Sequence, residues 1–220
     1  MHALYITMLC KVKYSVSMNN PKTKILKASS VLFLKGGVAA LNVRAIATRA
    51  GISTIGIYSH FQGKQGILDA LYIEGFQRVS QAMDVTKPGS DPKAAVLQAC
   101  RNYLDCAEKF EAHYRLIFGQ PDDDYSPSPA ARDVAAAAFN DLTNLVAALL
   151  PLTASSAQRQ DAAIQLWSVI HGFVCLKQHT IAKTVNMRHW KARALTTLEV
   201  VVDAIQLGGN PARRLIKRSR

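Results

Sequence analysis

Apolar positions recur at helical intervals along almost the whole chain. Ile25, Leu26, Ser29, Leu32 and Phe33 form one face of a helix that starts at Pro21 and is closed by Gly36-Gly37. A second helix is expected after Asn42, a favourable N-cap, and ends before Gly51. A short third follows Ser53. A fourth starts near Lys64 and carries Ile67, Leu68, Leu71, Ile73 and Phe76 towards Met83. The stretch "TKPGSDP" (86–92) breaks the pattern. Helices are then expected over 92–110, 112–119, 130–150, 156–183 and 190–207. No segment alternates with β-branched enrichment, so the expected fold class is all-α, with about nine helices.

This pattern divides the chain. Residues 21–84 are expected to form one domain and 85–207 a second. Residues 1–20 read as an extension, or as the product of an upstream start with Met18 as the working one. The tail over 208–220 is basic and expected to fray.

Composition narrows the class. The chain has 220 residues, of which 49% are hydrophobic, enough for a packed core. No apolar run reaches the roughly 18 residues of a membrane span, and the segment "ALYITMLC" makes a poor secretory signal. The cysteines Cys10, Cys100, Cys106 and Cys175 are scattered and form no CxxC pair. They fit a reducing cytoplasm better than a disulfide framework.

Charge says more. Net charge is +12, and the first 68 residues hold nine Lys or Arg and no Asp or Glu. A field of one sign over a small domain points to a polyanionic partner. The basic positions do not follow one face of an amphipathic helix, which favours nucleic acid over a membrane surface.

The segment "IATRAGISTIGIYSHF" (46–61) lies in that basic third. Gly51 can end one helix in the left-handed conformation, and Ser53 can cap the next. Two helices meeting across three residues, with Ala47 small where the axes approach, form a helix-turn-helix pattern. The second of them is short and rich in β-branched residues and glycine, so packing must hold it in place. Ile57 and Phe61 are expected to face the core, with Thr54, Ile55, Tyr58 and Ser59 outward. Such a face suits a major groove. Gly56 would let a backbone come close.

These residues resemble a known family. "ILKASSVLFLKGG…NVRAIATRAGISTIGIYSHFQGKQGIL" is similar to the N-terminal domain of TetR/AcrR transcriptional regulators over about residues 22–75. The chain departs from the commonest pattern at Ile55, where many members carry Gly, and at Asn42, where Thr is usual. "YSHFQGKQGILDALYIEGF" matches a subgroup, so Ile55 is expected to alter sequence preference and leave the fold intact. The resemblance implies that Thr54, Ile55, Gly56 and Ser59 lie at or near base edges. It implies phosphate contacts for Asn42, Arg44, Ser53, Tyr58, His60 and Lys64, the last at a helix N-terminus, where phosphate is favoured.

In the second domain, Leu195, Leu198, Val202 and Ile205 form a narrow apolar stripe. It reads either as core or as a dimer seam. The resemblance, in which the last two helices build a four-helix interface, favours a homodimer. "LWSVIHGFVCL" (166–176) sets Trp167 and His171 on one face and is similar to the WHG-type ligand domain of part of the family. An effector pocket is expected to draw on Tyr103, Phe110, Tyr114, Phe118, Phe139, Trp167 and His171; each also suits a core. The acids in "PDDDY" (121–125) suit a solvated loop better than a metal. No nucleophile–base pair or phosphate-binding glycine loop is present, so no catalytic residue, cofactor or metal is expected.

The sequence thus predicts a cytoplasmic, homodimeric, DNA-binding regulator. It is expected to be a repressor that reads a palindromic operator in double-stranded DNA and answers to a small apolar or amphipathic effector. Two alternatives stand beside it: a nucleoid- or protein-binding member of the fold without an effector, and a small all-α enzyme or ligand carrier.

Overall fold

The computed structural model describes residues 20–85, 91–119 and 125–208. Apart from Asn20, the extension over 1–20 lies outside the described residues. So do the break at 86–90, the acids Asp122, Asp123 and Asp124, and the tail from 209 onward.

Among the described residues there are nine α-helices and no strand. In chain order they are α1 (Pro21–Gly36), α2 (Val43–Ala50), α3 (Thr54–Phe61), α4 (Lys64–Met83), α5 (Pro92–Lys109), α6 (Glu111–Phe118), α7 (Pro129–Ala147), α8 (Ser156–Gln178) and α9 (Trp190–Gln206). Two single turns, Val38–Ala40 and Thr180–Lys183, are 3-10 helix. The chain divides into two compact units, one ending at Leu68 and the other starting at Asp69. The division falls within α4, whereas the sequence pattern suggested a boundary after residue 84.

The first unit is built from capped, short helices. Asn20 accepts a hydrogen bond from the Lys22 N–H at 2.9 Å, and Pro21 opens α1. Gly37, at φ 63°, ends it. Ile25, Phe33, Val38, Leu41, Ile46, Ile57 and Ile67 are buried. The buried Ser29 is satisfied within its own helix, donating to the Ile25 carbonyl at 2.9 Å.

In the second unit the core is drawn from α4 to α9, and Leu104, Val146, Leu166, Leu198 and Val202 lie at its centre. Asp91 caps α5 by accepting from the Ala94 N–H at 2.8 Å. At the start of α8, Ser155 and Gln158 form a reciprocal capping box. The helix expected over 156–183 stops at Gln178. His179 turns to extended backbone and its Nδ1 accepts from the Ile181 N–H at 3.1 Å, which starts the separate 3-10 turn. None of the described helices is long and apolar enough to cross a membrane.

The residues of the expected dimer stripe are mostly covered within one chain. Leu198 and Val202 are fully buried within one chain, and Ile205 nearly so; only Leu195 is half-buried. The reason is that α9 packs against both α8 and α5. Ion pairs of Lys93 with Asp203 at 2.6 Å and of Lys191 with Asp105 at 2.7 Å join it to α5. A stripe with spacings of three and four looks the same in sequence whether a neighbouring helix or a second copy covers it.

Candidate functional site

Residues 43–61 form a tight helix-turn-helix. Asn42 caps α2 by accepting from the Ala45 N–H at 2.8 Å. Gly51 adopts φ 66°, ψ 39°, the left-handed region, and the Ile52 N–H reaches back to the Ala47 carbonyl at 3.0 Å. The Ser53 Oγ then accepts from the Gly56 N–H at 3.1 Å and starts α3. Asn42 and Ser53 are thus helix caps as well as exposed side chains.

The two faces of α3 differ sharply. Ile57 is wholly buried and Phe61 half-buried. Ile55 is 78% exposed and Tyr58 56%, with Thr54 and Ser59 exposed beside them. Together they leave a small apolar surface on α3 open to a partner. The Ser59 hydroxyl donates to the Gly56 carbonyl at 3.1 Å, so only its lone pairs face outward. Arg44 is exposed, while His60 and Lys64 are partly covered, Lys64 opening α4.

Glycines set the close approaches here. A Cβ at Gly56 would meet Ile52 Cγ2 at 2.6 Å, so packing within the turn, as well as access from outside, requires glycine. After α3 the chain reverses through Gln62 at φ 59° and Gly63 at φ 116°. At Gly66 the backbone of α4 lies directly against the end of α3.

In the second unit, six of the seven expected pocket residues come together. Trp167 and His171 pack in a tilted arrangement on α8, with ring centres 4.9 Å apart. The Phe118 ring lies 4.3 Å from His171, 5.0 Å from Tyr114 and 5.7 Å from Trp167. Phe139 packs on Trp167 at 5.8 Å, and Tyr103 meets Tyr114 edge to face at 6.1 Å. The Trp167 indole N–H donates to the Tyr103 hydroxyl at 3.4 Å. Tyr114 Oη and His171 Nδ1 are 2.6 Å apart. Burial holds the His171 imidazole down at about 4, so it is neutral near pH 7, and burial raises both tyrosines. A neutral imidazole nitrogen is the better acceptor and a phenol the better donor, so Tyr114 donates to Nδ1 and the ring proton sits on Nε2.

Phe110 packs on the His113 ring instead, and lines one small cavity together with Tyr114. Its ring carries the Arg78 guanidinium at 3.7 Å, and Arg78 is also paired with Glu74 one helical turn away. His113 Nε2 lies 3.2 Å from the same carboxylate. Burial works to raise the Glu74 pKa, but these partners outweigh it and hold the pKa below the usual carboxylate value. The sequence reading missed this cluster; the Glu74–Arg78 spacing of four was its only signal. Two cavities of about 10 Å³ flank the Tyr103–Tyr114 pair, Tyr103 lining one and Tyr114 the other. Each has room for about one water molecule. The described residues include no group of acids, histidines and cysteines able to hold a metal.

Comparison with known proteins now bears on this arrangement. Residues 25–71 match the family model of bacterial regulatory proteins of the tetR family, and residues 96–204 match the tetracyclin repressor-like C-terminal domain. The chain belongs to the TetR family of transcriptional regulators. It is 43% identical over 51 residues to the uncharacterized HTH-type transcriptional regulator YerO of Bacillus subtilis, a match covering 23% of this chain and 18% of that protein. A regulatory protein of the tetR family from Rhodococcus RHA1 has the same fold at 19% identity, with a TM-score of 0.65 over 85% of this chain and 97% of the other. A single-residue variant of TetR from Acinetobacter baumannii, solved with minocycline, matches at 15% identity and a TM-score of 0.58, over 83% and 94%. As a TetR-family member the chain is a DNA-binding regulator, and the helix-turn-helix lies within the first match.

Proposed function

We propose that the protein is a homodimeric repressor whose two α3 helices read successive major-groove faces of a palindromic operator, about 34–36 Å apart. The observation that carries this reading is the outward face of α3: Ile55 and Tyr58 stand exposed on a helix whose opposite side is buried, in a unit with nine basic residues and no acid before Asp69. Thr54, Ile55, Gly56 and Ser59 meet base edges, and Ile55 favours contact with a thymine methyl. Asn42, Arg44, Ser53, Tyr58, His60 and Lys64 hold phosphates.

The dimer forms through the exposed sides of the last two helices. Ile164, Ser168, Gly172 and Leu176 follow one another at intervals of four on α8, and Thr196 and Val200 lie on the exposed side of α9, with exposed Leu207 just past its end. Small residues among apolar ones let two helix pairs approach closely. An uncharged effector binds the aromatic core of the second unit and changes operator affinity, and the operator changes effector affinity by the same factor. The protein acts in the cytoplasm.

Selection of genomic fragments with the purified protein tests this reading. A palindromic site is expected, with affinity falling steeply as salt rises; enrichment without any palindrome sinks the specific-regulator reading. A second reading, a nucleoid- or protein-binding member without an effector, is favoured by the small size of the two cavities flanking Tyr103 and Tyr114, each of which takes about one water. Failure of any small molecule to change operator release would support it.

A further inference from the structure

One ring at the edge of the second unit's core is held by other rings on several sides. Phe118 is the last residue of α6, half-buried, and it touches Phe76 at 5.3 Å as well as Tyr114, Trp167 and His171. Four aromatic side chains from three helices therefore grip a side chain at a helix end. His171 makes its hydrogen bond through Nδ1 alone; its Nε2, which carries the ring proton, bonds to no described residue.

We propose that Phe118 is an internal stand-in for the effector, and that its seat takes a flat, uncharged aromatic molecule carrying one hydrogen-bond acceptor. This rests on the effector reading above and gives it a chemical class. Edge-to-face packing at 4.3–5.7 Å around the Phe118 ring defines a slot for a planar π system. The Nε2–H supplies a single donor, which selects a phenol oxygen, carbonyl or ring nitrogen. None of the rings that touch Phe118 carries a charge, so an anion entering the seat would lose its water without gaining a partner. Arg78, whose Nε is buried without a hydrogen-bond partner among the described residues, lies against Glu74 and the Phe110 face rather than against the Phe118 ring.

Phe118 itself fills the space between Tyr114, Trp167 and His171. A ligand must displace the ring, so its apparent affinity is reduced by the fraction of molecules in which Phe118 has swung out. The same displacement bears on α6, which is pressed onto α4. A Cβ at Gly75 would meet Ile117 Cγ2 at 2.9 Å, and His113 is tied to Glu74.

Calorimetric titration of the full-length protein with 1-naphthol tests the proposal. Phe118→Ala is expected to bind it at least ten-fold more tightly than the wild type, and Phe118→Leu to fall between them. In the Phe118→Ala background, 1-naphthalenesulfonate is expected to bind at least ten-fold more weakly than 1-naphthol. Adding His171→Phe should weaken naphthol but leave naphthalene unchanged. Leu142→Ala, which opens space in the neighbouring cavity, serves as control. The proposal is overturned if Leu142→Ala gains as much as Phe118→Ala, if neither Phe118 variant gains, or if the sulfonate binds equally well. Operator binding of the same proteins, measured separately, decides the regulator reading whatever the titrations give.

Discussion

A Cβ added at Gly66 would stand 1.8 Å from the carbonyl oxygen of Phe61. The obstacle is backbone, so no rotamer change relieves it. Gly66→Ala is therefore expected to push α4 away from the end of α3, at a cost of about 2 kcal/mol or more. Urea denaturation and a gel-shift assay should both register it, with operator affinity lost even where the protein remains folded.

Tyr58 offers a cleaner separation of binding from folding. Its ring is largely in water and its hydroxyl makes no hydrogen bond within the described chain. Tyr58→Phe should leave the unfolding midpoint unchanged. DNA affinity should fall by about 1 kcal/mol, roughly five-fold, for all sequences alike. A changed base preference in a site-selection experiment would instead put Tyr58 at a base edge.

Leu198 and Val200 should behave in opposite ways. Leu198 is fully buried in the single chain, so Leu198→Ala is expected to destabilise it by about 2–5 kcal/mol. Val200 is 66% exposed on the same helix. Val200→Asp should shift sedimentation from dimer to monomer while leaving the helical content of the chain intact. A dimer unaffected by Val200→Asp would move the interface elsewhere.

His171 gives the fold a pH dependence. Its folded value of about 4 lies below the ordinary 6.5, so the unfolded chain takes up the proton first. The stability is fully present above pH 6.5 and drains away as pH falls towards 4, by about 3 kcal/mol. In His171→Gln that part of the loss should vanish. Urea midpoints at pH 7 and pH 4.5 would then differ less for the variant than for the wild type; an equal difference would show that His171 does not titrate in this window.

The helices were legible because their ends are written locally. Asn42, Gly51, Ser53 and the Pro129 and Ser155 starts each carry a cap or stop signal within a few residues. The inward and outward faces of α3 were legible for the same reason, since Ile57 and Phe61 fall one turn apart. What covers a face was not legible. Leu198, Val202 and Ile205 follow a pattern that a neighbouring helix and a second copy satisfy equally. Nor could spacing separate Phe110 from the other aromatics. Its neighbour Arg78 lies 32 positions away in sequence, and only the fold brings the two together. Gly66 and Gly75 gave no warning either, because a helical glycine looks like a weak point until the backbone or side chain lying against it is known.

The exposed side of α3 has one more implication. Thr54, Ile55, Tyr58 and Ser59 contribute almost nothing to the buried core, which rests on Ile57, Ile52 and the glycines around them. Selection can therefore rewrite the four outward letters while the scaffold stays as it is. A duplicated copy of the gene could drift to a new control site in a few single-residue steps, each passing through a folded protein.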